Sequence, residues 1–299
     1  MGSEFEEAPV TALLLCSDPL ASARSRRPDP HFARDGEHAA TVAVIDHDAL
    51  VRGDVEDAVR RVPAGLGPAW YRGWMLTASR YADLEAALAD RGCLLLTTAS
   101  AYARAHELPG WYPVFAGHTP ASVHTADLAA VEDWLARAAA ELGAEAAIVK
   151  DFVKSRKDAW DTACHIPDLG DTEQRLRVVN RFMELQGADL YGGVVLRAFE
   201  DFAAATGATR QARVWWLDGE PVQTTAHPDT PQVRVSPDLT GLDRAVAALG
   251  CRFVTTDLAR RSDGVWRVIE VGDGQVSDFP SGTDIGPLIK ALTAARPPA

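Results

Sequence analysis

Residues 147–157 read Ala-Ile-Val-Lys-Asp-Phe-Val-Lys-Ser-Arg-Lys, and they decide the fold predicted for the chain. The apolar run that ends at Lys150 predicts a buried strand, and a short basic turn follows it. The chain has four lysines, and three of them lie here, at positions 150, 154 and 157. A compact ammonium group on a rigid strand suits a phosphate, which it meets as a point charge. An ordinary solvated turn is the alternative, and the scarcity of lysine elsewhere argues against it.

The composition indicates an acidic protein that is long enough to bury a sizeable core. Its 299 residues suggest one large domain or two modest ones. A net charge of −12 argues against a passive nucleic-acid or anionic-membrane binder, because phosphate binding needs a basic face. The four cysteines are widely spaced and predict reduced thiols in a cytoplasmic protein. No apolar run approaches the length of a transmembrane helix.

The first 125 residues predict a small α/β domain. Its expected strands are residues 11–16, 41–45 and 93–97, and its expected helices are 49–61 and 81–91. Residues 70–75 read Trp-Tyr-Arg-Gly-Trp-Met, which is dense in aromatic side chains around one arginine. Candidate substrate contacts are Arg72, Trp70, Trp74 and the arginine-rich run from Arg24 to Arg27. A packed aromatic cluster is the alternative for the two tryptophans.

Residues 126–299 predict a second, α+β domain that contains antiparallel sheet. Helical spacing covers residues 127–142, 171–187 and 239–249, and each segment ends at or just before a glycine. Asp218-Gly219 and Asp263-Gly264 are strong hairpin signals, because both central residues of a tight two-residue turn need positive φ. The chain is therefore expected to end in two hairpins among helices.

The second hairpin places two acidic residues opposite each other. With a two-residue loop at 263–264, Ser262 faces Val265, and the same register sets Asp257 opposite Glu270 on one face. Their β-carbons would lie about 4.5–5.5 Å apart. Without a cation the two carboxylates should repel, which would raise the pKa of one of them. Asp273 could supply a third carboxylate, and oxygen ligands that leave room for phosphate oxygens suit Mg²⁺. Two acidic residues on an exposed face are the alternative.

Four stretches of the chain together resemble the ATP-grasp superfamily, and most closely the clade of that superfamily named for its two arginines and one lysine. They are residues 149–157, 194–200 (Val-Val-Leu-Arg-Ala-Phe-Glu), 213–219 (Arg-Val-Trp-Trp-Leu-Asp-Gly) and 268–275 (Val-Ile-Glu-Val-Gly-Asp-Gly-Gln). Residues 71–75 and 119–120 also look like that clade, so the resemblance covers most of the chain.

The resemblance implies an ATP-grasp fold, in which two α+β subdomains grip ATP, preceded by a smaller α/β domain. Lys150 would contact the phosphates, and Arg197 to Glu200, with Phe199 between them, would form the hinge beside adenine and ribose. Glu200 is the candidate for the ribose hydroxyls. Arg213 would reach the reacting phosphate and, with Lys150, form the catalytic pair. The implied Mg²⁺ ligands are Asp257, Glu270 and Asp273, and Asp273 stands where many members have Asn.

Two departures from the family pattern concern the grip on the triphosphate. Many members carry a lysine upstream of the Lys150 strand, but here no lysine precedes position 150. The usual glycine-rich flap over the phosphates is also missing. Lys154, Ser155 and Lys157 occupy its approximate place, so both flanking lysines are candidate nucleotide contacts.

Most proteins that this chain resembles are carboxylate–amine ligases, which use ATP to turn a carboxylate into an acyl phosphate that an amine attacks. The leading hypothesis is therefore an ATP- and Mg²⁺-dependent ligase forming an amide or peptide bond. Its expected partners are a small carboxylic acid and an amine, amino acids or peptides among them, with a homodimer as the candidate assembly. A small-molecule kinase and a nucleotide-binding partner protein without turnover are the alternatives.

Overall fold

The computed structural model describes residues 11–20, 27–202 and 209–297. Within these ranges the strands form three four-stranded sheets. None of the helices in the described parts of the chain is long and apolar enough to cross a membrane. Arg24 to Arg26, which the sequence offered as substrate contacts, lie outside the described residues.

The first sheet is parallel and has the strand order β2-β1-β3-β4. Its strands are β1 (Ala12–Cys16), β2 (Val42–Ile45), β3 (Gly67–Arg72) and β4 (Cys93–Leu95). Six helices accompany it: α1 (Pro30–Glu37), α2 (His47–Arg52), α3 (Val55–Val59), α4 (Ala78–Ala89), α5 (Ala99–His106) and α6 (Leu108–Phe115). The helix expected at 49–61 is two short helices, because Gly53 takes a left-handed conformation with φ 94° and ends the first.

The second sheet contains the strand that ends in Lys150. It is antiparallel, with the order β5-β8-β6-β7, and its strands are β5 (Ser122–Thr125), β6 (Ala147–Asp151), β7 (His165–Ile166) and β8 (Val194–Ala198). Its helices are α7 (Val131–Leu142), α8 (Trp160–Ala163) and α9 (Thr172–Gln186). Asp171 caps α9 by accepting a hydrogen bond from the backbone N–H of Gln174 at 3.0 Å, which confirms the expected helix start.

The third sheet is built from the two predicted hairpins. Its order is β10-β9-β11-β12, with β9 (Gln211–Leu217), β10 (Glu220–Ala226), β11 (Phe253–Arg260) and β12 (Trp266–Asp273). Helices α10 (Leu242–Leu249) and α11 (Gly286–Ala294) complete this part of the chain. Asp218 and Gly219 both have positive φ, 52° and 87°, as the predicted two-residue turn requires.

The register of the second hairpin agrees with the prediction at the acidic pair but not at the loop. Asp257 pairs with Glu270. The loop, however, has three residues, since Arg261 pairs with Val265 through a 2.8 Å backbone hydrogen bond. A bulge between the Leu258–Val268 and Asp257–Glu270 pairs adds Ile269 to β12 and restores the predicted register.

The first and third sheets share one apolar core. Leu13, Leu15 and Trp70 from the first sheet pack with Trp215 and Phe253 from the third, and α11 adds Leu288, Ile289 and Leu292. The division into domains 1–125 and 126–299 stays a prediction, and β5, just before that boundary, pairs with β8.

Candidate active site

A cavity of 420 Å³ is lined by residues of the second and third sheets and their connections. It brings together six of the residues singled out from the sequence: Lys150, Lys157, Arg197, Phe199, Glu200 and Glu270. Lys154 is not among the residues that line it. We call this space the larger cavity.

Lys150 reaches the larger cavity from the end of β6, and its side chain is 5% exposed. Its ammonium group donates to the carbonyl oxygen of Val153 at 3.2 Å. Burial lowers the pKa of Lys150, and the nearby carboxylate of Glu270 partly opposes this effect. An ammonium group that has lost most of its water is strongly stabilised by a neighbouring anion.

Three aromatic rings form one wall of this region. Trp160 stacks on His165 with ring centroids 5.1 Å apart, and Phe199 contacts His165 at 4.8 Å. Trp160 and Phe199 both line the larger cavity. Flat rings at the mouth of a cavity suit a heteroaromatic base. Only Phe199 had a signal in the sequence, because Trp160 and His165 become its neighbours only through the pairing of β6 with β7 and β8.

Glu200 is already engaged by two arginines. Arg267 binds both of its carboxylate oxygens, at 2.9 and 3.0 Å, and Arg261 binds one at 3.2 Å. The predicted contact to ribose hydroxyls would therefore share this carboxylate with two guanidinium groups. The ion pairs tie the hinge after β8 to the hairpin of β11 and β12.

Arg197 crosses from β8 to the bulge in β12. Its Nη1 donates to the carbonyl oxygen of Ile269 at 2.6 Å, and its Nη2 donates to that of Val268 at 3.2 Å and to the hydroxyl of Thr119. Burial lowers the pKa of Arg197 to about 10, against the opposing effects of Glu270 and Glu200. Arg197 therefore supports the backbone that places Glu270, besides lining the larger cavity.

A second cavity of 160 Å³ lies beside the acidic pair, and we call it the smaller cavity. It is lined by Arg213, Asp257, Glu270 and Asp273, which the sequence had singled out, and by Met75, His106 and Asp278 among others. Glu270 lines both cavities. The two spaces therefore meet at this carboxylate.

Within the acidic pair, Arg213 neutralises Asp257. Its Nε and Nη2 donate to the two carboxylate oxygens at 2.7 and 2.8 Å, and His227 Nε2 lies 3.2 Å from Oδ2. Burial alone would raise the pKa of Asp257, but the charge and hydrogen bonds of Arg213 hold it well below its usual range. The sequence predicted a raised pKa for one of the two carboxylates; at Asp257 the shift is downward, because the prediction left out the neighbouring strand β9.

Asp273 borders the smaller cavity with both carboxylate oxygens engaged inside the protein. Oδ1 accepts from the backbone N–H of Gln275 at 2.8 Å, and the Cys251 thiol lies 3.5 Å from Oδ2. Burial raises the pKa of Asp273 to about 7. Side chains alternate along β12, so the position on the Glu270 face is Gly272 rather than Asp273. In the described residues, no group of three or more His, Cys, Asp and Glu side chains is arranged to hold a metal ion.

His106 and His227 are buried histidines of this region that the sequence did not single out as functional. His106 lines the smaller cavity, and its Nε2 has no hydrogen-bond partner among the described residues. Burial, helped by the charges of Lys150 and Lys154, lowers the pKa of His106 to about 4, so the imidazole is neutral near pH 7. Neither histidine has the spacing of a metal or catalytic motif, so no sequence signal pointed to it.

The family of the chain follows from its C-terminal half. Residues 141–292, which are more than half of the chain, match the model of family 3 of the ATP-grasp domains in the clade named for two arginines and one lysine. The chain belongs to this ATP-grasp family. The match includes every predicted nucleotide, catalytic and metal residue from Lys150 to Asp273. No curated protein sequence matches the chain.

Solved structures share the ATP-grasp fold at low sequence identity. A RimK domain protein ATP-grasp from Sphaerobacter thermophilus has a TM-score of 0.59 at 17% identity, covering 95% of this chain and 100% of that chain. The D-cycloserine synthetase DcsG gives 0.58 at 19%, covering 94% and 99%. The ATP-grasp ligase PsnB, in complex with a minimal precursor, Mg and ADP, gives 0.53 at 14%, covering 94% and 97%. The predicted ATP-grasp fold with a preceding α/β sheet is therefore confirmed.

A Mg²⁺ ion in this ATP-grasp chain would rely on two carboxylates, and Asp257 would share its oxygens with Arg213. Asp257 and Glu270 are paired across β11 and β12, both line the smaller cavity, and Glu270 also lines the larger one. Mg²⁺ commonly takes one or two carboxylates and completes its shell with substrate phosphates and water. Asp257 and Glu270 would hold the ion, which when bound would neutralise charge on the phosphate oxygens.

The candidate substrate contacts in the N-terminal half differ from one another in burial and in the partners that they bind. Arg72 is buried, pairs with Asp35 at 2.7 Å and donates to the carbonyl oxygens of residues 274, 275 and 277. It is thus a structural cross-link rather than a substrate clamp. Trp70 is fully buried and donates to the carbonyl oxygen of Leu292. Arg27 is exposed but pairs with Asp18, and Trp74 keeps an exposed ring surface.

Proposed function

We propose that the protein is an ATP-dependent carboxylate–amine ligase that works through an acyl phosphate. The observation that carries this proposal is the position of Glu270, which lines both the larger and the smaller cavity. A nucleotide in the larger cavity would direct its terminal phosphate toward the smaller one. The smaller cavity would then receive the acid and the amine.

The larger cavity offers each part of ATP a matching surface. Trp160 and Phe199 would contact adenine, and the buried ammonium of Lys150 would bind phosphate oxygens as a point charge. Lys157 lines the same cavity and forms a loose ion pair with Asp229 at 3.9 Å, so it can turn to a phosphate at low cost. Lys154 is exposed on the turn between them and would approach from outside.

The proposed reaction has two steps. A carboxylate oxygen of the acid attacks the γ-phosphorus, and the bond from that phosphorus to the bridging oxygen of ADP breaks. The amine nitrogen then attacks the acyl carbon, the bond from carbon to the phosphate oxygen breaks, and the amine loses a proton. Arg213 would stabilise negative charge in both steps, because its position is fixed before the substrates bind. Its Nη1 also donates to the carbonyl oxygen of Asp278 at 3.0 Å.

An ADP-release assay separates this ligase from other ATP-using proteins. Purified protein is given ATP, Mg²⁺ and a panel of small carboxylic acids, with and without amines or hydroxylamine. We expect hydroxamate in the presence of hydroxylamine and an amide in the presence of an amine, and neither product with Glu270→Gln. A stable phosphorylated product without amine dependence would indicate a kinase. ATP binding without any turnover across the panel would indicate a nucleotide-binding partner protein.

The substrates and cellular setting belong to the same proposal. We propose small acids and amines, including amino acids or peptides, and a homodimer as the candidate assembly. Structures of two proteins with this fold, the ATP-grasp ligase PsnB and the macrocyclase MdnC, contain precursor peptides. The four cysteines are free and buried, which supports the cytoplasm as the compartment.

A further inference from the structure

A small aromatic surface lies at the edge of the smaller cavity. Met75 and Asp278 line that cavity. Trp74 precedes Met75, and His31 Nε2 lies 2.7 Å from the carboxylate of Asp278. We call Trp74, His31 and Asp278 the aromatic rim. Its members come from α1, from the loop after β3 and from the segment that follows β12.

Trp74 is exposed and yet fixed in place. It is 40% exposed, while its Nε1 donates to the carboxylate of Asp29 at 3.0 Å. Its ring lies 4.9 Å from that of His31 and 5.2 Å from that of Phe32. A large ring that is already ordered offers contact area to a ligand at little further cost in conformational entropy.

The charges divide between the two sides of the site. Lys150, Lys157 and Arg197 line the larger cavity, whereas Arg213, which is paired with Asp257, is the one arginine among the described residues that line the smaller cavity. The carboxylate of Asp278 is 42% exposed, and Glu270 is also exposed. An aromatic face beside an accessible carboxylate attracts organic cations through cation–π and ion-pair contacts.

We propose that the aromatic rim binds a cationic group of the acyl-accepting amine, so that the acceptor is a diamine or a basic amino acid. The attacking nitrogen must be unprotonated to form a bond with the acyl carbon. The cation at the rim is therefore a second group of the same molecule. The role of the bound amine as acyl acceptor rests on the proposed ligase function, whereas the binding of a cation at the rim does not.

Fluorine NMR of the full chain labelled with fluorotryptophan tests the rim without any turnover. The Trp74 resonance is assigned with Trp74→Phe, and the probes are putrescine, butan-1-ol and butyrate at constant ionic strength. We expect putrescine to shift the Trp74 resonance saturably and the neutral butan-1-ol to bind at least about tenfold more weakly. Asp278→Asn should weaken putrescine by about tenfold, while Asp133→Asn, an exposed change of equal charge on α7, should not.

Several outcomes would overturn the rim assignment. They are an unshifted Trp74 resonance, equal binding of butan-1-ol, tighter binding of butyrate, or an Asp133→Asn effect as large as that of Asp278→Asn. Calorimetry of putrescine binding to the wild type and Asp278→Asn gives the same comparison if Trp74→Phe does not fold. If the protein binds putrescine at the rim but forms no amide, the cation site is supported and the ligase proposal is wrong. If it forms amides but does not bind putrescine at the rim, the ligase proposal is supported and the cation site is wrong.

Discussion

Arg213 on β9 and Asp257 on β11 face each other and form two hydrogen bonds, Nε to Oδ1 at 2.7 Å and Nη2 to Oδ2 at 2.8 Å. The side chains are 13% and 4% exposed, so little water screens the pair. The pair keeps a carboxylate ionised in the interior, where burial alone would favour its protonated form. Glu270, directly across from Asp257 on β12, completes a row of charges over three neighbouring strands.

Arg213→Met should destabilise the fold strongly, because it leaves the Asp257 carboxylate buried without its guanidinium partner. We expect a loss of about 3–5 kcal/mol in the free energy of unfolding. Urea unfolding of the ligand-free protein measures this loss. The double variant with Asp257→Asn should recover part of it, and a single-variant loss below about 1 kcal/mol, typical of an exposed pair, would contradict a buried charge pair.

Glu270→Gln should separate catalysis from folding. The substitution keeps the shape of the side chain, and Glu270 is exposed, so the unfolding free energy should stay within about 0.5 kcal/mol of wild type. Turnover should fall by at least about a hundredfold, the scale of losing one preorganised electrostatic group. Steady-state ADP release at saturating ATP measures the effect, and near-normal turnover would remove Glu270 from the reacting centre.

Lys150→Met should weaken ATP binding while the fold remains intact. We expect a loss of about 1.5–3 kcal/mol in binding free energy, the range of a charge-assisted hydrogen bond. Removing a buried ammonium whose pKa is lowered by burial should leave stability unchanged or slightly raised. Calorimetry with ATP measures the loss. Lys290→Met, at the exposed fourth lysine on α11, is the matched control, and equal ATP affinity in the two variants would exclude a phosphate contact at Lys150.

Asp273 should make the fold less stable as the pH rises. Burial raises its pKa from 3.8 to about 7, so between these values the folded protein holds a proton that the unfolded chain releases. The contribution of this group is therefore fully present below about pH 4 and is lost as the pH rises through about 7. Asp273→Asn imitates the protonated form, so its unfolding free energy should not fall with pH in this way. The difference in unfolding free energy between the variant and the wild type should therefore grow in favour of the variant by about 3 kcal/mol from pH 5 to pH 8. Urea unfolding at both pH values, with the exposed Asp133→Asn as control, measures this; a gain that does not change with pH would contradict the shifted pKa.

Local signals in the sequence predicted the parts of the site that depend on neighbouring residues. The Asp-Gly turns and the alternation of the strands placed Asp257 opposite Glu270, and the apolar run before Lys150 predicted β6. The predicted two-residue loop of the second hairpin has three residues in the structure, but the bulge at Ile269 restores the predicted register. This error does not change which residues face each other at the acidic pair.

Long-range pairing accounts for what the sequence did not show. The sequence offered Arg72 as a candidate substrate contact and did not reveal its partners, because Asp35 and the carbonyl groups after β12 are distant in sequence. The neutralisation of Asp257 depends on β9 lying beside β11, which no turn signal specifies. The position of Asp273 depends on strand parity, and a shift of one residue decides between cleft and core.

The bulge at Ile269 shifts the pairing register between β11 and β12 by one residue. If Ile269 were paired in a regular ladder instead of forming the bulge, the three-residue loop would set Asp257 opposite Ile269 and would swap the faces of Glu270 and Val271. Arg197, which lines the larger cavity, holds the bulge by donating to the carbonyl oxygen of Ile269. The hairpin tip can therefore change in length by two residues without moving Glu270, whereas a change of one residue would need the loss of the bulge and a new partner for Arg197.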